Sequence, residues 1–204
     1  ISVNVTIIFS VSRYREVLAA YQAGLTERRA NGLSISGIHS VASFFVSRVD
    51  TEIDPKLREL GRSDLCGRAA IANARLAYQE FVAVSKTPSW SELAAAGAAL
   101  QRPLWASTGV KDPNYDPAMY VTELIAPDSV NTMPESTLVA ASQTKNFRGD
   151  TITGNYEDAS EVITELSNLG IDIEQVAEKL ELEGIEKFIK PWLELISTVS
   201  KVTP

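Results

Sequence analysis

Four short apolar segments, each giving way to a helical pattern, constrain the fold of this chain more than any other feature. They lie at 2–9, 39–46, 103–107 and 129–132. Strands that alternate with helices in this way form βα units around a parallel sheet. The first segment alternates, with Asn4 and Thr6 on one face and Val3, Val5 and Ile7 on the other. In the second, Val41, Ser43 and Phe45 share a face.

The intervening patterns fill in the units. A helix is expected over 13–29, with Val17, Leu18, Tyr21 and Leu25 at helical spacing, a cap from Ser10 or Ser12, and a stop at Asn31-Gly32. Residues 48–64 read as a charged loop, because Asp50, Glu52, Asp54 and Pro55 crowd together. A strong helix follows over 68–85, carrying Ile71, Ala74, Leu76, Tyr78 and Phe81, then a short Ala-rich one over 90–99 after Pro88. A turn-rich loop over 109–117 leads to a helix at 120–125, and another begins at Pro134-Glu135. The tail is helical over 159–169, 173–182 and 185–201, with Pro191 expected to bend or interrupt the last piece.

Four βα strands are half of a (β/α)8 barrel, which takes about 250 residues. The alternative is a small open α/β sheet, but the Gly-rich phosphate loop expected after its first strand is missing. The sequence opens at Ile1, without a methionine, directly on a core-type strand. The expectation is that something upstream of this strand has been removed. No repeat, low-complexity tract or linker divides residues 1–204.

Composition narrows the function class. The net charge of −7 argues against a nucleic-acid surface, which would need clustered Lys and Arg. No apolar run approaches the roughly 20 residues of a membrane span, and no signal-peptide pattern opens the sequence as given. A lone cysteine, Cys66, cannot form an internal disulfide and fits a reducing cytoplasm. It reads as a packed residue, although Arg62 and Arg68 are near it in sequence. With His39 the single histidine, a His-based metal site or a Ser-His-Asp triad has little to draw on. His39 itself, at a strand entrance, reads as structural. Glu174, Glu178, Glu181, Glu183 and Glu186 read as a solvated helix face, not a metal site.

In a barrel, functional groups sit at the C-terminal ends of strands and on the loops beyond. Asn4 and Thr6, Ser43 and Phe45, Ser107, and Asn131 and Thr132 occupy such positions, with Arg48 and Lys111 just past two of the strands. A guanidinium, an ammonium and a hydroxyl converging on one point suit a phosphate monoester, so Arg48, Ser107 and Lys111 form the first candidate group. The competing reading pairs Arg48 with Asp50 or Asp54, and Lys111 with Asp112. Asn4 and Thr6 invite either a bound hydroxyl or hydrogen bonds to neighbouring strands.

The stretches SVNVTIIF, VASFFVSRVD, RPLWASTGVKDP and VNTMPESTL, taken in this order, resemble the transaldolase family. The resemblance implies a (β/α)8 TIM barrel entered at its fifth strand and running through the eighth into C-terminal helices. It makes residues 1–204 the C-terminal part of a single barrel domain whose N-terminal half is absent here. It implies a transferase of the pentose phosphate pathway that moves a dihydroxyacetone unit between sugar phosphates. Sedoheptulose 7-phosphate and glyceraldehyde 3-phosphate would give erythrose 4-phosphate and fructose 6-phosphate. The chemistry runs through a lysine Schiff base, with no metal or organic cofactor.

Carried onto this sequence, Asn4 and Thr6 match a substrate-contacting pair, with Thr6 positioning the catalytic water. Ser43 and Phe45 match residues lining the sugar site, Arg48 matches the phosphate-binding arginine, and Ser107 its hydroxyl partner. Lys111 falls where a basic phosphate ligand is expected. The Schiff-base lysine and the acid/base aspartate and glutamate belong to earlier strands and have no counterpart here, so this chain alone is expected to be inactive. The rival expectation is a non-catalytic half-barrel that binds sugar phosphates or a partner protein. A homodimer is one assembly that its exposed edges would favour.

Overall fold

A computed structural model describes residues 2–202; Ile1, Thr203 and Pro204, at the ends of the expected 1–204 segment, lie outside the described residues. Four strands, β1 (Val3–Ile8), β2 (Ser40–Phe45), β3 (Gln101–Ala106) and β4 (Val130–Asn131), pair in parallel in the order β1-β2-β3-β4. That sequential order, without the reversal of a doubly wound sheet, is the winding of a barrel arc. The sheet is open among the described residues, because β1 and β4 each have one neighbour.

The crossovers run through α1 (Val11–Ala30), α2 (Ser47–Glu59), α3 (Ala69–Ser85), α4 (Pro88–Ala95) and the short α5 (Met119–Thr122). After β4 come α6 (Glu135–Gln143), α7 (Tyr156–Asn168) and α8 (Ile173–Val202). Helices α1 and α3 pack together against one face of the sheet. On that face Tyr14 of α1 meets Phe44 edge-on, and Phe44 meets Trp105 likewise. All three rings are fully buried, and burial of each contributes roughly 1.5–3 kcal/mol. The buried alanines of α3, among them Ala70, Ala74 and Ala77, let that helix lie close.

The opposite face carries the rung Asn4–Val41–Arg102 and then Ser43–Leu104–Val130. It is only partly covered: Asn4, Thr6 and Arg102 are exposed, and Val41, Phe45 and Val130 half-buried.

Three local expectations are corrected. The loop expected over 48–64 is helical as far as Glu59: Val49, Ile53 and Leu57, all buried, form the stripe of α2, which its dense charge conceals. Pro55 is tolerated because it faces solvent, where water can reach the Thr51 carbonyl left without its donor. The two C-terminal helices are one, since α8 runs continuously through Pro191. In β1 the simple alternation fails at Ile7. The register advances three residues on β1 (Val5 to Ile8) for two on β2, and Ile7 adopts φ 64°. This bulge puts Ile8, not Ile7, in the buried layer beside Phe44. Among the described residues no helix is long and apolar enough to cross a membrane.

Candidate functional site

Of the polar residues singled out in the sequence, Asn4 and Ser43 meet on the open face of the sheet, and Arg48 and Ser107 lie just past the ends of β2 and β3. The Ser43 hydroxyl, buried on β2, donates to Asn4 Oδ1 on β1 at 2.7 Å. Asn4 is exposed, and its amide nitrogen makes no hydrogen bond among the described residues. One end of the side chain is therefore fixed by Ser43 while the NH2 remains a donor to a ligand. The Thr6 hydroxyl, also exposed, makes no hydrogen bond among the described residues either.

At the end of β2 the chain turns straight into α2. Arg48, on the first turn, lies with Cζ 5.6 Å from the Phe45 ring centroid, a cation–π placement. Phe45 is in turn braced by Phe9, with centroids 5.2 Å apart. Arg48 forms no ion pair among the described residues, because Asp50 and Asp54 are engaged elsewhere. Beside it, Ser47 Oγ lies 3.1 Å from Ser107 Oγ, just past β3, and the Ser47 N–H donates to the Ser107 carbonyl at 3.0 Å. Ser107 sits at φ 55°, a conformation uncommon for a residue with a side chain and often found at functional positions.

Lys111 is placed differently. It borders a cleft of about 200 Å³ with Asp50, Thr51, Asp54, Pro55, Arg58, Asp112, Tyr115 and Tyr120, which Arg48 and Ser107 do not line. The pairing with Asp112 does not form: Asp112 binds Arg58 and Asn114. Lys111 has no ion pair among the described residues.

Asp50 and Asp54 are invisible as structural partners when 48–64 is read as a loop. On a helix they fall one turn apart on the same side, and both are buried. Asp50 accepts from the Ala70 N–H at 2.8 Å and the Tyr120 hydroxyl at 2.7 Å. Asp54 accepts from the Gly67 N–H at 3.0 Å and from the Tyr115 hydroxyl. Asp50 thereby supplies the first turn of α3 with an acceptor that its own N-cap, Arg68, does not provide, while Asp54 holds the residue just before that cap. They also lock α2, and with it Ser47 and Arg48, onto the rest of the fold. Burial pushes the Asp50 carboxyl up to about 7, despite the two hydrogen bonds that oppose the shift.

The weaker candidates resolve simply. Asn131 and Thr132 bond to the backbone carbonyls of Tyr120 and Trp105. The Cys66 thiol donates to the Asp54 carbonyl, and burial raises its pKa, the reverse of activation. His39 is exposed rather than packed, so its side chain is not the structural element expected at that strand entrance. Of the acidic residues on α8, Glu174 accepts from Ser12, Glu181 pairs with Arg13, and Glu183 with Lys179 and Lys187. Among the described residues no group of three or more His, Cys, Asp or Glu side chains is placed to hold a metal ion.

The model of the transaldolase/fructose-6-phosphate aldolase family matches residues 1–199. Transaldolase 1 of Streptomyces coelicolor is 54% identical over 204 residues, covering 98% of this chain and 54% of that protein. The transaldolase of Renibacterium salmoninarum is 54% identical over 202 residues, with 98% and 54% covered. That of Saccharopolyspora erythraea is 54% identical over 200 residues, with 98% and 55% covered. The chain thus spans about half the length of the curated relatives it matches.

Proposed function

Since the chain belongs to the transaldolase/fructose-6-phosphate aldolase family, we propose that it forms the substrate-lining and phosphate-anchoring part of a transaldolase. The reaction moves a dihydroxyacetone unit from sedoheptulose 7-phosphate to glyceraldehyde 3-phosphate, giving erythrose 4-phosphate and fructose 6-phosphate. A lysine amine condenses with the ketose carbonyl and releases water. The resulting iminium accepts the electron pair of the breaking carbon–carbon bond, and the first aldose leaves. The enamine then attacks the acceptor aldehyde, and hydrolysis returns the amine.

In this reading Arg48 and Ser107 hold the substrate phosphate, with Lys111 contributing positive charge from the neighbouring cleft. Asn4 and Ser43 bind the sugar hydroxyls, Phe45 walls the site, and Thr6 positions the water. The observation that carries the reading is the guanidinium of Arg48, without an ion pair among the described residues and stacked on Phe45 one residue from the Ser47–Ser107 contact. A cation held by an aromatic face and left without a carboxylate is suited to an incoming anion.

The amine and the acid/base carboxylates come, on this proposal, from strands other than the four described, none of which carries Lys, Asp or Glu. An open strand edge and two apolar surfaces favour a barrel completed by further chain. β1 has an unpaired edge. A groove of about 350 Å³ beside it is lined by Val3, Val5, Val17, Ala20 and Tyr21. The second half of α8 exposes Phe188, Trp192 and Leu193.

Arg48→Ala in the intact protein tests the phosphate assignment. A lost charge-assisted hydrogen bond corresponds to a rise in KM for sugar phosphates of about 10- to 100-fold. An unchanged KM removes Arg48 from the site.

A further inference from the structure

We propose that Ser47 is a positioning residue for Ser107, an inference that rests on the reading of Ser107 as a phosphate ligand. The left-handed backbone of Ser107 is held from both sides. Val46 N–H donates to the Ala106 carbonyl and Ser47 N–H to the Ser107 carbonyl, each at 3.0 Å. The next residue, Thr108, is fully buried and donates its hydroxyl to the Thr132 carbonyl at 2.7 Å. These bonds fix the main chain but leave the Ser107 hydroxyl free to rotate. Ser47 removes that freedom: its side chain is 1% exposed, and its Oγ has Ser107 Oγ as its hydrogen-bond partner.

The direction of that bond matters. A hydroxyl has one proton to give and lone pairs to accept. Either hydroxyl can be the donor; in the proposed arrangement it is Ser47, and the Ser107 proton is thereby directed to a phosphate oxygen. A hydroxyl that accepts one hydrogen bond is polarised to donate another more strongly. Ser47 also opens α2, so its own N–H, one of the helix's unpaired terminal donors, is used on the Ser107 carbonyl. The same residue thus sets the backbone and the hydroxyl of its neighbour without touching substrate.

The test is a double-mutant cycle in the intact protein, with kcat and KM for fructose 6-phosphate measured for Ser47→Ala, Ser107→Ala and both together. Ser47→Ala is expected to raise KM by about 3- to 10-fold with kcat nearly unchanged, the loss of one neutral hydrogen bond. In the Ser107→Ala background the same change is expected to have no further effect. An unaltered KM in Ser47→Ala, or an equal effect in both backgrounds, overturns the proposal. If Ser107→Ala alone leaves KM unchanged, the phosphate reading fails as well. A general loss of folding would lower kcat in step with the folded fraction and leave KM alone, which also counts against the positioning role.

Discussion

Replacing Asp50 with asparagine should remove a pH dependence of stability that the native protein shows near neutrality. Asp50 is buried on α2 between the Ala70 N–H and the Tyr120 hydroxyl, with Asp54 adding like charge one turn away. Burial, the largest effect, lifts the carboxyl from 3.8 to about 7. The folded state therefore binds a proton that the unfolded chain has already released. The sign follows: this contribution is fully present below the unfolded value and is lost as pH rises through the folded one. Over the whole range the loss is on the order of 4 kcal/mol, of which roughly 3 kcal/mol falls between pH 5 and pH 8. In the Asp50→Asn variant the side-chain carbonyl can still accept from Ala70, and the NH2 can donate to the Tyr120 oxygen. The packing survives while the titration is removed. Urea unfolding of the native and variant proteins at pH 5, 6.5 and 8, at constant m, reads the difference. The native protein should fall relative to the variant by a few kcal/mol across that window. Parallel profiles would show that Asp50 does not titrate there and refute the reasoning.

Thr6→Val keeps the shape of an exposed site residue but removes its hydroxyl, so it should lower kcat about 100-fold, the low end of the range for lost acid–base assistance, with little change in KM. An unchanged kcat would remove Thr6 from proton transfer. Gly184→Ala should destabilise the fold, because a Cβ there would lie 2.9 Å from Ile7 Cγ2, at the bulge of β1. Overpacking costs about 1–3 kcal/mol, against about 1 kcal/mol regained from helix propensity. Thermal melts should show a net loss, and a stabilised variant would mean that α8 does not press on β1.

Much of this architecture can be read from the sequence because hydrophobic periodicity survives where it is not diluted by charge. The four strands, α1 and α3 emerge within a few residues of their observed bounds, since their apolar positions recur at regular spacing. Helix α2 is hidden for a physical reason. Its buried face combines Val49, Ile53 and Leu57 with Asp50 and Asp54, and buried carboxylates look like surface charges until their partners are known. Those partners, Gly67, Ala70, Tyr115 and Tyr120, are distant in sequence. The bulge at Ile7 is equally hidden, because it takes a β-branched residue into a conformation that favours glycine. At the candidate site, Asn4 and Ser43 are legible as polar positions on alternating strands, and Phe45 and Arg48 as strand-end residues. Ser47 is not, since its role exists only through its contact with Ser107, 60 positions away.

Borohydride reduction of the intact protein in the presence of fructose 6-phosphate, followed by peptide mapping, addresses the division of labour most directly. A reduced adduct is expected on a lysine outside residues 1–204, with Lys56, Lys86 and Lys111 unmodified. An adduct on any lysine within these residues would place the nucleophile among the groups assigned here to binding, and would contradict that division.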